Sequence, residues 1–348
     1  MNPRRHDEAF TALVERHGHE LRIHCYRMTG SLSEAEELVQ ETFLRAWTKR
    51  GEFGGRLAPR AWLYRIATNL CIDVLRKRSS RLLPDRVGPP SDPSTPAAPR
   101  DDIAWLEPFP DRLLETVTTH EPGPEEAVVA KETIELAFVA AIQHLPPRQR
   151  AALILADVVG WSSKRIATLL DSNDAAINSA LLRARKTLSQ QLPRQRSDWS
   201  PTRTSSAQER ALLRDYMHAI ESADLDAMAA VLAADVRTMM PPLAVWFEGR
   251  EAVLRALAAS WDPGGPAYVG RFRLLPTAAN GQPALASYVQ RTGATRFVGF
   301  AITVLRIDGG AIAEATAFHN PALFAPFDLP SELPAIGQQR HAGQAAAE

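Results

Sequence analysis

LPPRQRAALILADVVGWSSKRIATLLDSNDAAINSALLRARKTL, residues 145–188, decides how the chain is read. Pro146 and Pro147 end one helix and start another, because proline lacks the N–H that a helix interior needs but suits its first turn. Ser162 or Ser163 is placed to cap KRIATLL, since a serine hydroxyl accepts a hydrogen bond from an amide of the first turn. A tight DSN connection follows, and AAINSALLRARKTL is the next helix. Ile177, Ala180, Leu181, Ala184 and Leu188 recur at three- and four-residue spacing and give that helix one buried face. Two helices joined by so short a turn form a helix-turn-helix, whose second helix is free to enter a DNA major groove.

Upstream, RAWLYRIATNLCIDVLRKRSSR at 60–81 begins as a buried helix and ends as a basic one. A core helix has no use for the run Arg76, Lys77, Arg78, and a solvated helix has none for Trp62. SLSEAEELVQETFLRAW at 31–47 precedes it. Ser33 predicts an N-cap with Glu36 as its capping-box partner. Ala35, Leu38, Val39, Thr42, Phe43, Ala46 and Trp47 then follow amphipathic spacing. Residues 8–29 predict a further helix, with Phe10, Leu13, Val14, Leu21, Cys25 and Met28 near one face.

Between these helical stretches VGPPSDPSTPAAP is Pro-rich and aperiodic, which predicts a flexible linker. WLEPFPDRLLE at 105–115 is out of place in it. Trp105, Leu106, Phe109, Leu113 and Leu114 would stay exposed unless the segment docks on a folded domain. A second aperiodic stretch, PRQRSDWSPTRTSS, runs from 193 to 206. Beyond it two helices broken at Ser222–Asp224 give way to strand-like segments, the order of an α+β domain.

The zero net charge hides a pattern. Basic residues exceed acidic ones by 4 over residues 1–80 and by 6 over 138–196, while residues 81–137 carry −7 and 197–348 carry −3. Two basic segments point to a polyanionic partner. No apolar run reaches the roughly 18 residues of a membrane span, and MNPRRHDEAF has no secretory h-region. Cys25 and Cys71 both fall inside helical patterns, as free thiols of a reducing cytoplasm do. Scattered histidines and two distant cysteines give no metal-ligand spacing, and no cofactor is expected.

EAEELVQETFLRAW, RAWLYRIATNLCIDVLRKR and the 145–188 stretch together resemble region 2 and region 4 of bacterial sigma-70-type factors, and more narrowly the extracytoplasmic-function (ECF) group. VRTMMPPLAVWFEGREAV, TAANGQPALASY and EATAFHNPALF resemble the SnoaL-like, or nuclear-transport-factor-2-like, α+β cone. The resemblance implies a multidomain chain. Its parts are a region 2 helical bundle at 8–80, an acidic Pro-rich linker at 81–127 and a region 4 helix-turn-helix at 128–192. A SnoaL-like α+β domain at 205–330 and a disordered tail at 331–348 complete it. The implied function is an RNA polymerase sigma factor, not an enzyme. It would bind core polymerase through the β′ clamp and β flap and recognise promoter −35 and −10 elements.

Region 2 of that family holds the opened −10 strand. Unstacked bases need aromatic surface, polar groups for base edges and cations for phosphate. Trp62 and Leu63 are thus the expected stacking or wedge surface, Asn69 the edge reader, and Arg60, Arg65, Arg76, Lys77 and Arg78 the phosphate cations. Glu36, Glu37, Gln40, Glu41 and Arg45 are the expected polymerase face. For the −35 duplex the expected residues are Asn173, Asp174, Ala175, Ala176, Asn178 and Ser179, with Arg183, Arg185 and Lys186 on phosphate. Asp174 departs from the family's Ser/Thr-rich helix start. It suits the helix dipole but repels phosphate and accepts only from cytosine N4, so an unusual −35 preference is expected.

The cone is expected to regulate in cis, with Trp105, Leu106, Phe109, Asn320 and Pro321 as interface pieces and room for a small ligand. An alternative is a SnoaL-like cyclase or isomerase with a DNA-binding appendage, drawing on His218, Asp235, Asp308 or His319. It leaves the acidic helix and the basic segments unexplained. A plain helix-turn-helix repressor, the third reading, would bind duplex DNA tightly without polymerase.

Overall fold

The computed structural model describes residues 3–49, 58–95, 98–114, 133–191 and 207–335. The expected boundaries near 127, 192 and 205, and the tail beyond 335, lie outside these residues. The chain divides into two compact units, one from residues 1–82 and 106–201, the other from 83–105 and 202–348.

The first unit is all helical. α1 (Pro3–Thr29), α2 (Leu32–Thr48) and α3 (Pro59–Lys77) bury Leu21, Cys25, Met28, Ala35, Leu63 and Ala67 among them. α1 ends at Gly30, whose φ is +72°. A Cβ there would lie 2.6 Å from Leu106 Cδ1, so only glycine meets both the left-handed turn and the close approach. Ser31 rather than Ser33 caps α2, accepting from the Glu34 amide at 3.2 Å. Glu36 is exposed. The capping carboxylate is instead Glu107, whose Oε2 accepts from the Leu32 amide at 2.9 Å and from Ser31 Oγ at 3.0 Å. A carboxylate at that end also suits the α2 dipole.

α4 (Leu136–Ile142), α5 (Pro147–Leu153), α6 (Ser163–Leu169) and α7 (Asp174–Gln191) complete the unit. α5 runs on through a π turn at Ile154–Val158 that the proline pattern does not announce. Ser162 is the α6 cap. The turn to α7 places Asp171 at φ +48°. Ile177, Leu181 and Ala184 are the buried face of α7, as their spacing requires. Arg150 of α5 is 1% exposed. Its Nη1 donates to the Met28 carbonyl and to Gln143 Oε1, its Nη2 to the carbonyls of Gln143 and Leu145.

His24, also buried, lies with Nε2 2.9 Å from Thr68 Oγ1. Burial, then nearby Arg27, pushes its pKa down to about 3. An unfolded imidazole titrates near 6.5, about three units higher. The unfolded chain therefore binds the extra proton as pH falls from 6.5, and stability falls with it. Between about pH 7 and pH 5, His24→Gln is expected to lose about 2 kcal/mol less than the wild type in the urea transition of the helical unit, followed in the full-length chain by exchange of α1 amides. Equal losses would contradict a neutral buried imidazole.

The second unit carries α8 (Ala207–Ser222), α9 (Leu225–Val231) and α10 (Arg250–Trp261). Asp224 caps α9, accepting from the Ala227 amide at 2.9 Å, which separates α8 from α9 where the sequence predicts. The strands are β1 (Leu232–Met239), β2 (Trp246–Glu248), β3 (Arg271–Ala279), β4 (Gln282–Gln290), β5 (Arg296–Asp308) and β6 (Ala311–Phe318). Their order is β2-β1-β6-β5-β4-β3, antiparallel except for the β1–β6 pair. One face packs Leu274, Leu285, Leu305 and Ile312 with Tyr216, Met228 and Trp261 of the helices. Phe324 packs Tyr288 at 5.1 Å.

Two expectations of disorder are corrected. β7 (Glu332–Pro334) pairs with β5, so residues 332–334 of the expected tail are a strand. The Pro-rich stretch is bound to the second unit. The Ser91 amide donates to the Trp246 carbonyl at 2.8 Å, and the Trp246 indole to the Gly88 carbonyl at 2.9 Å. The Arg100 amide donates to the Pro242 carbonyl at 3.1 Å. Proline-rich backbone cannot pair with itself, but β2 is an edge strand with free backbone groups to offer.

Candidate nucleic-acid and polymerase surfaces

Trp62, Arg65, Asn69 and Arg76 are spaced by three, four and seven residues, which lines them up along one side of α3. Trp62 and Arg65 are half-buried, while Asn69, Arg76, Lys77 and Arg78 are exposed. Leu63 is 0% exposed. It points inward with Ala67 and Leu70, so it offers no stacking or wedge surface, a correction to the sequence reading. The four arginines among the expected cations are paired with carboxylates, Arg65 with Asp171. Arg60 Nη2 lies 2.7 Å from Glu20 Oε2, Arg76 3.6 Å from Asp73, and Arg78 pairs with Glu34. Burial pushes the Glu20 carboxyl up, but hydrogen bonds from Arg60 and His17 outweigh it and hold it below the usual carboxylate range.

On α2, Glu36, Glu37, Gln40 and Arg45 are exposed and Glu41 is half-buried, with Arg45 Nε 2.7 Å from Glu41 Oε1. Glu41, Leu44, Arg45, Thr48 and Lys49 line an open cleft of about 370 Å³. On α7, Asp174, Ala175, Ala176, Asn178, Ser179, Arg183, Arg185 and Lys186 are all exposed. Three of the expected readers already have partners. Asn173 Oδ1 accepts from the Ala176 amide at 2.8 Å and so caps the helix. Asn178 Oδ1 accepts from Ser163 Oγ at 2.6 Å, and Arg185 pairs with Asp157 at 2.6 Å.

The docking segment divides at one peptide bond. Leu106 and Phe109 are buried in the helical unit, Phe109 with its ring 4.8 Å from Tyr26. Tyr26 Oη donates to the Glu107 carbonyl at 2.7 Å, and the Glu107 amide to the Gly30 carbonyl at 3.0 Å. Trp105 falls in the other unit, where its indole donates to the Arg100 carbonyl at 2.9 Å. There too Asn320 Oδ1 accepts from the Ala322 amide at 3.0 Å and shapes a turn at Pro321–Leu323. His218, Asp235 and Asp308 are exposed, and His319 stacks on Phe300 at 4.7 Å. Burial pushes the His319 imidazole down to about 4, so it is neutral. No hydrogen bond joins any two of these four.

Residues 13–81 match sigma-70 region 2, residues 135–188 match sigma-70 region 4, and residues 213–315 match the SnoaL-like domain. The ECF RNA polymerase sigma factor SigG of Mycobacterium tuberculosis H37Rv is 41% identical over 93% of this chain and 85% of its own length. The chain belongs to the ECF RNA polymerase sigma factors. A probable ECF sigma factor of the same strain, SigI, is 25% identical over 86% of this chain and 90% of its own. The crystal structure of M. tuberculosis SigJ superposes with a TM-score of 0.60 at 22% identity, covering 92% of this chain and all of SigJ, so the order of folded parts is shared.

Two residues of this sigma factor escape a reading by polarity. Leu44 is 62% exposed in the α2 cleft and Leu182 is 72% exposed on α7. Leu182 lies on the solvent side of α7, one turn from Ser179 and from Lys186. For Leu182 the available signal was an apolar residue whose neighbours one turn away, Asn178, Ser179, Arg185 and Lys186, are all polar.

Proposed function

We propose that this sigma factor docks on core polymerase through the outer face of α2, reads a −35 duplex with α7 and holds the opened −10 strand on α3. The C-terminal unit regulates these acts in cis. What carries the regulatory part is the course of the linker. The chain between the −10 and −35 readers leaves the helical unit after Leu82, is bound to the C-terminal unit at Trp246 and at Pro242, and returns at Leu106. Whatever loosens that binding changes the freedom of the two readers.

Arg237 is the side chain to test, since its Nη2 lies 2.8 Å from Asp85 Oδ2 and its guanidinium 4.9 Å from the Trp246 ring. Run-off transcription with core polymerase is the assay. Arg237→Gln and Asp85→Asn are expected to shift output about threefold in the same direction, the effect of an ion pair worth about 0.5–1 kcal/mol. Output unchanged in both would remove the cis-regulatory reading.

Leu182 supplies a second test of the α7 face. An exposed leucine contributes nothing to the fold, but against a thymine methyl it adds apolar contact. Leu182→Asn is expected to lower stability by only about 0.5 kcal/mol, the difference in helix propensity, and to weaken −35-dependent transcription about tenfold, a loss of roughly 1–2 kcal/mol. Equal transcription by both proteins would take α7 off the duplex.

A further inference from the structure

The −3 carried by residues 197–348 conceals a basic stretch. Between Asp262 and Asp308 stand five arginines and no lysine, aspartate or glutamate. The fold gathers four of them. Arg271 opens β3, Arg291 follows the last residue of β4, and Arg296 opens β5. Arg271 pairs with Gln290 and Val289 with Val298, so the three arginines stand at one end of three adjacent strands. At about 4.8 Å per strand they span roughly 10 Å. All three are exposed. Arg273, half-buried, follows two residues along β3 and donates from Nη1 to the Pro334 carbonyl at 3.2 Å.

Little acid offsets this charge. Arg296 Nε lies 2.7 Å from Glu332 Oε2. Glu221, which reaches β3 from α8, accepts from the Leu274 amide at 2.7 Å. Arg271 and Arg291 have no carboxylate partner among the described residues. Their backbone is nonetheless fixed. Arg271 is held by its β4 pairing. The β4–β5 loop is closed by the Ala294 amide on the Arg291 carbonyl and by Gln290 Nε2 on the Ala294 carbonyl, each at 3.0 Å.

Guanidinium groups set in a row on a fixed strand end match a row of phosphates. The aromatic rings nearby are turned away. Phe272 packs on Phe300 at 6.0 Å, Phe297 is 1% exposed and Tyr288 is 0% exposed. A single strand is held on exposed aromatic platforms, so the row fits a duplex better. Val298, 48% exposed, is the large apolar side chain at this end, and one valine does not make the apolar core of a protein interface.

We propose that Arg271, Arg273, Arg291 and Arg296 form a contact surface for the phosphate backbone of duplex DNA, through which the C-terminal unit adds affinity without reading sequence. Phosphate contacts position a protein on DNA and leave base choice to other elements. The proposal goes beyond the roles given to α3 and α7 and does not depend on them.

The test uses the full-length chain and a fluorescein-labelled mixed-sequence duplex of about 30 base pairs, followed by anisotropy from about 50 to 200 mM KCl. Arg271→Gln and Arg291→Gln are each expected to lower the slope of log affinity against log salt by about 1, and the double variant by about 2. At about 100 mM KCl the double variant is expected to bind about five- to tenfold more weakly, by the same factor on a second, unrelated duplex. Arg306→Gln removes a like charge ten residues along β5 from Arg296 and is expected to leave the slope unchanged. No binding of the duplex by the wild type at about 50 mM KCl overturns the proposal. So does an unchanged slope in the double variant, or an equal change in Arg306→Gln, which would report net charge alone. A loss seen with a single strand of the same length and absent with the duplex overturns it as well.

Discussion

Arg150→Ala is expected to cost the helical unit about 3 kcal/mol. The guanidinium is sealed from water and serves four oxygens, three of them backbone carbonyls. Burial holds its pKa down to about 10, so it is still charged at neutral pH. Each hydrogen bond to a buried charged group contributes about 1.5–3 kcal/mol, and each acceptor stranded without a donor costs about 1–3 kcal/mol. Relief of the buried charge offsets part of the sum, which brings it back to about 3 kcal/mol. Two units need not unfold together, so the measurement is amide hydrogen exchange of α1 and α5 in the full-length chain. Loss of about two orders of magnitude in protection is the expected result. A change below tenfold would mean that water replaces the guanidinium without penalty.

Phe109→Ala carries the second large effect. The ring is 0% exposed and stacks at an angle on Tyr26, which itself is 0% exposed. Truncating a fully buried phenylalanine costs about 3–5 kcal/mol. The loss is expected to appear first as faster exchange at the α2 N-terminus, because the same segment brings in Glu107 to cap Leu32. Glu107→Gln, which keeps the shape and removes the charge, is expected to cost about 1 kcal/mol. If Phe109→Ala weakened the C-terminal unit and left α2 protected, the placement of this segment would be wrong.

How much of this was legible in the sequence varies with the range of the interaction. The α7 face at Ile177, Leu181 and Ala184, a cap at Ser162 or Ser163, the break at Ser222–Asp224 and a C-terminal run of strands all follow from local periodicity and capping chemistry. Leu63 did not, since Trp62 and Leu63 are adjacent on a helix and only packing decides which of the two turns in. The α2 cap was misplaced for a related reason. Ser33 and Glu36 satisfy a local capping rule, but the helix starts two residues earlier, where Ser31 and the distant Glu107 take the amides of Glu34 and Leu32, and sequence proximity cannot reveal that partner. The linker is the largest case. Its proline content correctly excludes helix, yet β2 offers the unpaired edge that fixes its path. At the candidate nucleic-acid surfaces, residue type located the cations but not their carboxylate partners, Glu20, Glu34 and Asp171, which come from other elements.

The central claim is that this chain directs core RNA polymerase to a promoter through α3 and α7. Run-off transcription with core polymerase, on the DNA upstream of the chain's own gene, tests it most directly. The account predicts a discrete start site that appears only when the full-length protein is added and is lost with Asn69→Ala combined with Leu182→Asn. No transcript, together with no retention of the protein on core polymerase in the same mixture, would contradict it.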